Sequence, residues 1–179
     1  APRPVVAALP SAGPTVGLAV QLGLLVGLAM TVGVQPVGWA AAGVFALAVP
    51  EAYEGFGPRP VELAVAFLEL GRHAVPGPVV ETVMAASLLT EPGPAKRLLP
   101  ALAAGEAVAT AAPAGSYALD GDVATIRLAW DADGLRAAPG HGPVRASLDP
   151  ARRLARLLPG GELLTQEPPL AHALTWARL

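Results

Sequence analysis

Between residues 46 and 82 the chain sets chain breakers around a helical run so closely that few arrangements satisfy it. Pro50, Gly55, Gly57 and Pro58 crowd a loop, and Pro60 stands where the first turn of a helix tolerates a residue with no amide donor. Leu63, Phe67 and Leu70 then recur at i, i+4 and i+7 and predict a core-facing stripe, with Glu62 and Glu69 together on a second, wet face. Gly71 and the Pro76, Gly77, Pro78 cluster stop this helix, and Val79, Val80, Val83 and Met84 open another over about residues 78–89. A third helix is expected over residues 95–103, with Lys96 and Arg97 on its wet side; Thr90, Glu91, Pro92 and Gly93 read as the turn that leads into it.

Upstream, no Asp, Glu, Lys or Arg occurs from Pro4 through Pro50. Residues 15–33 are interrupted only by Gln21 as a strongly polar side chain and approach the length needed to cross a bilayer, with Gly23 and Gly27 spaced as a small-residue pair. A helix apolar on every side must be covered by protein or lie in lipid. Three readings stand: a buried or partner-covered helix, a membrane or export segment, and an irregular start. Cysteine is absent, which removes disulfides, thiolate chemistry and cysteine metal sites and suits a reducing compartment such as the cytoplasm. A net charge of −2 offers no basic surface for nucleic acid.

After Asp120 the period changes to two. Val123, Thr125, Arg127 and Ala129 alternate with Ala124, Ile126, Leu128 and Trp130, predicting a strand with Ile126, Leu128 and Trp130 on one face. Asp133 and Gly134 mark a hairpin into residues 135–138. Residues 144–148 and 154–158 are further strand candidates, although Asp149 and Pro150 suit a helical cap equally well; Gly160, Gly161, Pro168 and Pro169 read as a linker before a helix at residue 170. Arg152, Arg153 and Arg156 form a dense basic cluster whose default place is a solvated face, with an anion contact as the alternative. The fold class is therefore α+β. An all-α N-terminal domain spans residues 1–105, with residues 1–36 as its atypical charge-free part. A small antiparallel β-barrel-like domain spans 106–164, and 165–179 hold a linker and the start of a further helix.

Three stretches in order carry a resemblance. The run Ala48, Val49, Pro50, Glu51, Ala52, Tyr53, Glu54, Gly55, Phe56, Gly57 is followed by Glu69, Leu70, Gly71, Arg72 and then Pro76, Gly77, Pro78. This order resembles the N-terminal helical domain of the acyl-CoA dehydrogenase family, flavoproteins that desaturate acyl-CoA thioesters. The resemblance implies a middle β domain whose first strand leads into a flavin-contacting loop. Here that segment keeps Pro113, Gly115 and Ser116, while Ala112 and Tyr117 replace the acidic residues of the family and one residue is missing between proline and glycine. Pro113, Gly115 and Ser116 are thus the expected contacts to FAD. The family also walls its acyl pocket with the helix after the Pro76, Gly77, Pro78 turn. That makes Val80, Val83, Met84 and Ser87 the expected lining for a fatty or sterol-like chain, with core packing as the competing role.

The resemblance implies FAD-dependent α,β-dehydrogenation, with the family's carboxylate base carried by a C-terminal helical bundle that this sequence is expected to lack. No catalytic residue is assigned, and Glu51, Glu54, Glu62, Glu69, Glu81 and Glu106 read as loop or helix-surface carboxylates. His73, His141 and His172 show no metal-binding spacing, and no nucleotide-binding glycine motif or nucleophile elbow is present. The expected partners are an acyl-CoA and a homo- or hetero-oligomeric dehydrogenase assembly. Two other functions fit the same residues: a noncatalytic partner of a full-length dehydrogenase, and a small membrane-associated protein anchored by residues 15–33.

Overall fold

The computed structural model describes residues 43–178. The charge-free segment at residues 15–33 lies outside them, and no helix among the described residues is long and apolar enough to cross a membrane. Two short 3-10 turns come first, Phe45–Ala48 and Glu51–Tyr53. The loop that follows folds back on the first turn, with the amides of Phe56 and Arg59 donating to the carbonyls of Ala46 (2.8 Å) and Leu47 (2.9 Å). That return forces close backbone approach at Gly55, where a Cβ would stand 1.9 Å from the Val49 carbonyl oxygen.

Three helices continue the chain: α1, Pro60–Arg72; α2, Val79–Leu88; and α3, Pro92–Ala103. Pro60 and Pro92 sit in the first turns of α1 and α3, where a missing amide costs nothing. The residues expected to join the second and third helices therefore split between a short connection ending at Glu91 and the opening of α3. The α1 stripe is as the spacing predicts: Leu63 and Leu70 are buried and Phe67 packs partly buried against the same core. Glu62 corrects the expected wet face. It is buried at 5% exposure with Arg59 at 3.9 Å, because the returning loop covers the start of α1.

Seven strands follow: β1, Ala109–Pro113; β2, Tyr117–Leu119; β3, Ile126–Asp131; β4, Gly134–Ala137; β5, Arg145–Ala146; β6, Arg153–Arg156; and β7, Glu162–Thr165. They make two sheets, β1-β3-β4-β7 and β2-β6-β5. The architecture is α+β as expected. The barrel is not closed, and β1 runs parallel to β3 in the larger sheet. β3 starts later than the alternation predicts, because residues 120–124 turn on the Asp120 carbonyl, which accepts from the amides of Val123 (3.1 Å) and Ala124 (3.0 Å). The hairpin at Asp133 forms, pairing Asp131 with Gly134. Asp149 caps a turn between β5 and β6 rather than a helix, its carboxylate accepting from the Ala151 amide at 2.9 Å. The expected linker instead contains β7, which pairs with β4 and buries Leu164.

A last helix, α4, Leu170–Trp176, packs on α2 and buries Ala173. One continuous core joins these parts, taking Leu63, Val83, Leu88, Leu99 and Leu102 from the helices and Leu128, Leu135 and Leu164 from the larger sheet. Each such buried aliphatic side chain contributes about 1.5–3 kcal/mol. Thr82 pins helix to sheet: its hydroxyl lies 2.6 Å from the Pro78 carbonyl and 3.2 Å from that of Ala109, and it accepts from the Ala109 amide at 3.0 Å.

Candidate functional site

β1 leaves the core at Pro113 and turns through Ala114, Gly115 and Ser116 into β2; residues 113–117 are all exposed. The turn is held from behind, since the Ser116 amide donates to the Pro113 carbonyl (3.0 Å) and the Ala114 amide to that of Trp130 (2.8 Å). Gly115 has φ +78°, and a Cβ there would meet nothing within 4 Å. The loop thus presents bare, rigidly supported backbone outward, a surface on which a flat ring system can lie. Its Gly115 carbonyl accepts a hydrogen bond from the Arg156 guanidinium.

Next to the loop lies a cluster that linear reading missed. Tyr117 pairs with Arg156 across β2 and β6, and Arg145 pairs with Leu154 across β5 and β6. The two-residue pleat therefore puts Tyr117, Leu119, Leu154, Arg156 and Arg145 on one face, while Ala118 and Ala155 are buried on the other. The Arg156 and Arg145 guanidinium carbons lie 4.6 and 5.7 Å from the Tyr117 ring centroid. The Arg156 guanidinium, a donor toward the phenol, pulls the Tyr117 pKa below the ordinary tyrosine value; desolvation opposes this, and the charges of Arg145 and Arg156 add to it. The alternation of Leu154 with Arg156 was the available signal. It needed the partner strands, which only the fold supplies.

Arg152 goes elsewhere. It turns inward to donate to Asp120 Oδ2 at 2.6 Å and to Glu81 Oε1 at 2.9 Å, bridging the end of β2 to α2. Burial alone would lower its pKa, but the attraction of Glu81 and Asp120 outweighs that and raises it. Asp120, 2% exposed and at φ +53°, also accepts from the Arg153 amide at 2.9 Å. Two expectations are corrected here: Glu81 is no free surface carboxylate, and Arg152 is no solvated cation. Glu81 Oε2 and Asp122 Oδ1 are buried without a hydrogen-bond partner among the described residues.

The four residues expected to wall an acyl pocket divide along α2. Val83 and Met84 are buried in the core at 1% and 8% exposure, Val80 is exposed, and the half-buried Ser87 donates to the Met84 carbonyl at 2.8 Å. A cleft of about 160 Å3 opens where α2 begins, lined by Pro76, Gly77, Pro78, Val108, Val123 and Arg153 among others. It adjoins the start of β1, whereas Gly115 lies past its end. Among the described residues no three His, Cys, Asp or Glu side chains gather as a metal site. His73, His141 and His172 are each in local hydrogen bonds, the last accepting from the Trp176 indole at 2.9 Å.

Comparison with known proteins gives this geometry a context. Residues 37–106 match the acyl-CoA dehydrogenase N-terminal domain. Two proteins with the name acyl-CoA dehydrogenase IpdE2 match beyond that domain. The one from Mycobacterium tuberculosis is 36% identical over 117 residues, which is 64% of this chain and 37% of that protein. Over residues 37–106 the chain matches the acyl-CoA dehydrogenase N-terminal domain, and it is similar to acyl-CoA dehydrogenases beyond that stretch. The Mycolicibacterium smegmatis relative of this family is 32% identical over 124 residues, covering 66% of this chain and 38% of its own length. The chain thus spans well under half the length of these curated acyl-CoA dehydrogenases. A glutaryl-CoA dehydrogenase from Mycobacterium smegmatis, solved with FADH2, superposes with TM-score 0.66 at 19% identity, over 93% of this chain and 60% of that one. An FAD-dependent dehydrogenase gives TM-score 0.68 at 15% identity, over 95% and 63%. At those identities the likeness is one of acyl-CoA dehydrogenase fold.

Proposed function

We propose that this chain supplies the flavin-facing loop and part of the acyl site of an FAD-dependent acyl-CoA dehydrogenase. The observation that carries the reading is the open backbone at Gly115, displayed on a braced turn just beyond the stretch matching the family's N-terminal domain. The residues present fit a flavin nucleotide: Gly115 has room for a ring, the Ser116 hydroxyl is exposed, and Arg145 and Arg156 offer cations for phosphates. When bound, FAD would accept the hydride leaving the substrate's β carbon. Pro113, Gly115 and Ser116 would hold it, and the residues of the chain keep that loop in shape through the hydrogen bonds to Trp130 and from Arg156.

The thioester's α proton needs a base within hydrogen-bond reach. Among the described residues Glu62, Glu81 and Asp120 are committed to arginine and no other carboxylate is assigned the role, so we propose that the base comes from elsewhere in the functional assembly. In this reading the exposed end of α2 at Val80, with Ser87 two turns further along the same face, borders the acyl chain, and Val83 and Met84 back that wall from the core. The substrate is an acyl-CoA, and the assembly is an oligomer of dehydrogenase subunits.

The test is a visible spectrum of the chain purified with FAD, alone and together with a full-length family dehydrogenase, followed by addition of a panel of acyl-CoA thioesters. A retained flavin band that bleaches on thioester addition is the expected result. Absence of flavin from the chain alone, together with no flavin in the mixture beyond what the full-length dehydrogenase binds by itself, overturns the proposal.

A further inference from the structure

Among the described residues the ion pairs use Arg59, Arg72, Arg97, Arg152 and Arg153, each with a carboxylate within 4.0 Å. Arg145 and Arg156, like Lys96, Arg127, Arg136 and Arg178, have none among the described residues, but only these two share one aromatic ring. Both are exposed, both lie over one tyrosine ring, and Arg156 is anchored by its bond to the Gly115 carbonyl. Two like charges converging on one aromatic side chain repel each other, and the tyrosine offsets this only by its ring face. An anion bridging them removes the repulsion and gains charge-assisted hydrogen bonds from both forks. Leu119 and Leu154, half-buried on the same sheet face, give the site an apolar floor on which to rest the uncharged part of a ligand.

We propose that Tyr117, Arg145 and Arg156 form a diphosphate-binding platform beside the Gly115 loop, taking the phosphate-bearing nucleotide end of a ligand. Guanidinium forks fixed on neighbouring strands match the oxygens of a diphosphate better than a single carboxylate, which one arginine suffices to hold. The inference rests on the flavin and thioester reading only for the ligand's identity, because FAD and coenzyme A carry the same diphosphate chemistry.

Inorganic pyrophosphate is the first probe, titrated by calorimetry into the full chain and into the Arg145→Ala/Arg156→Ala double variant. Both arginines are exposed, so the variant should fold, and its circular dichroism is the control. The platform predicts saturable binding that weakens steeply with salt and falls at least about tenfold in the variant. It also predicts that pyrophosphate raises the titration of the Tyr117 phenol, read by phenolate absorbance against Tyr117→Phe, because the bound anion opposes the phenolate. No saturable binding, or equal binding by the variant, overturns it. FAD against riboflavin and coenzyme A against pantetheine then separate the sources: the source is the nucleotide whose advantage over its phosphate-free counterpart disappears in the double variant. Pyrophosphate bound at the platform while neither nucleotide binds would sink the dehydrogenase reading and leave the platform standing. FAD bound equally by wild type and variant would do the reverse.

Discussion

Arg152 and Arg156 sit at the two ends of the same short strand segment, yet the fold gives them opposite chemistry. Arg152 is mostly buried between two carboxylates and ties the smaller sheet to α2. Arg156 is exposed, meets no carboxylate among the described residues, and braces a loop whose glycine faces open space. A satisfied buried cation fixes architecture; an unsatisfied exposed one, beside bare backbone, is available to a ligand. The same contrast separates two glycines. Gly55 is demanded by backbone packed against it, whereas Gly115 is favoured only by its positive φ, in open space.

The largest effect should come from Arg152→Ala. It leaves Asp120 and Glu81 facing each other without their shared cation, and breaking a buried pair costs about 3–5 kcal/mol. With Arg152 at 23% side-chain exposure, the lower end, about 3 kcal/mol in urea unfolding, is expected. Arg145→Ala/Arg156→Ala should change stability by no more than about 0.5 kcal/mol. Equal losses in the two variants would erase the distinction. The raised pKa of Arg152 means that its contribution is complete below the unfolded arginine value, so it holds across the neutral range and is lost only at strongly alkaline pH.

Gly55→Ala comes next, at about 1–3 kcal/mol, because its methyl must displace the Val49 carbonyl. Gly115→Ala should cost about 1 kcal/mol, the backbone term for a positive φ without a clash. Thermal melts compare the two directly, and a Gly115 penalty as large as that of Gly55 would contradict an open loop. Thr82→Val should cost about 1–2 kcal/mol by leaving the buried Ala109 amide without its acceptor, loosening β1 from α2. Hydrogen exchange at the start of β1 reads that effect locally.

The smallest effect is Tyr117→Phe at neutral pH, where no change in stability is expected. The folded-state pKa of Tyr117 is depressed, so its contribution is present above the unfolded tyrosine value and lost as pH falls through the folded value. Wild type and variant should therefore diverge only in alkaline solution. A difference at pH 7 would mean that the neutral phenol has a structural partner besides Arg156.

How far the sequence reveals this differs between the two halves. The helices were legible, since Pro60 marks a first turn and the Leu63, Phe67, Leu70 spacing marks a face, features decided within a few residues, although Pro92, expected in a turn, opens α3 instead. Glu62 escaped because its burial depends on a loop returning from upstream. The β3–β4 hairpin was legible from Asp133 and Gly134, while β7 was hidden as a short strand between glycine and proline pairs, where only pairing with β4 makes it a strand. At the candidate site, Pro113, Gly115 and Ser116 came from motif resemblance. Tyr117, Arg145 and Arg156 were invisible as a group because cross-strand neighbours are far apart in the chain. Arg152 looked like its neighbours until Asp120 and Glu81 were brought to it by the fold.

The most direct test of the account is a visible-light titration of FAD with the full chain, wild type against Gly115→Val, with melting temperatures recorded for both. The account predicts that wild type shifts and quenches the flavin bands, and that the variant remains folded but loses the effect, because a branched side chain covers the open backbone. Flavin bands that wild type leaves unchanged both alone and in a mixture with a full-length family dehydrogenase, or that both proteins shift alike, would contradict it.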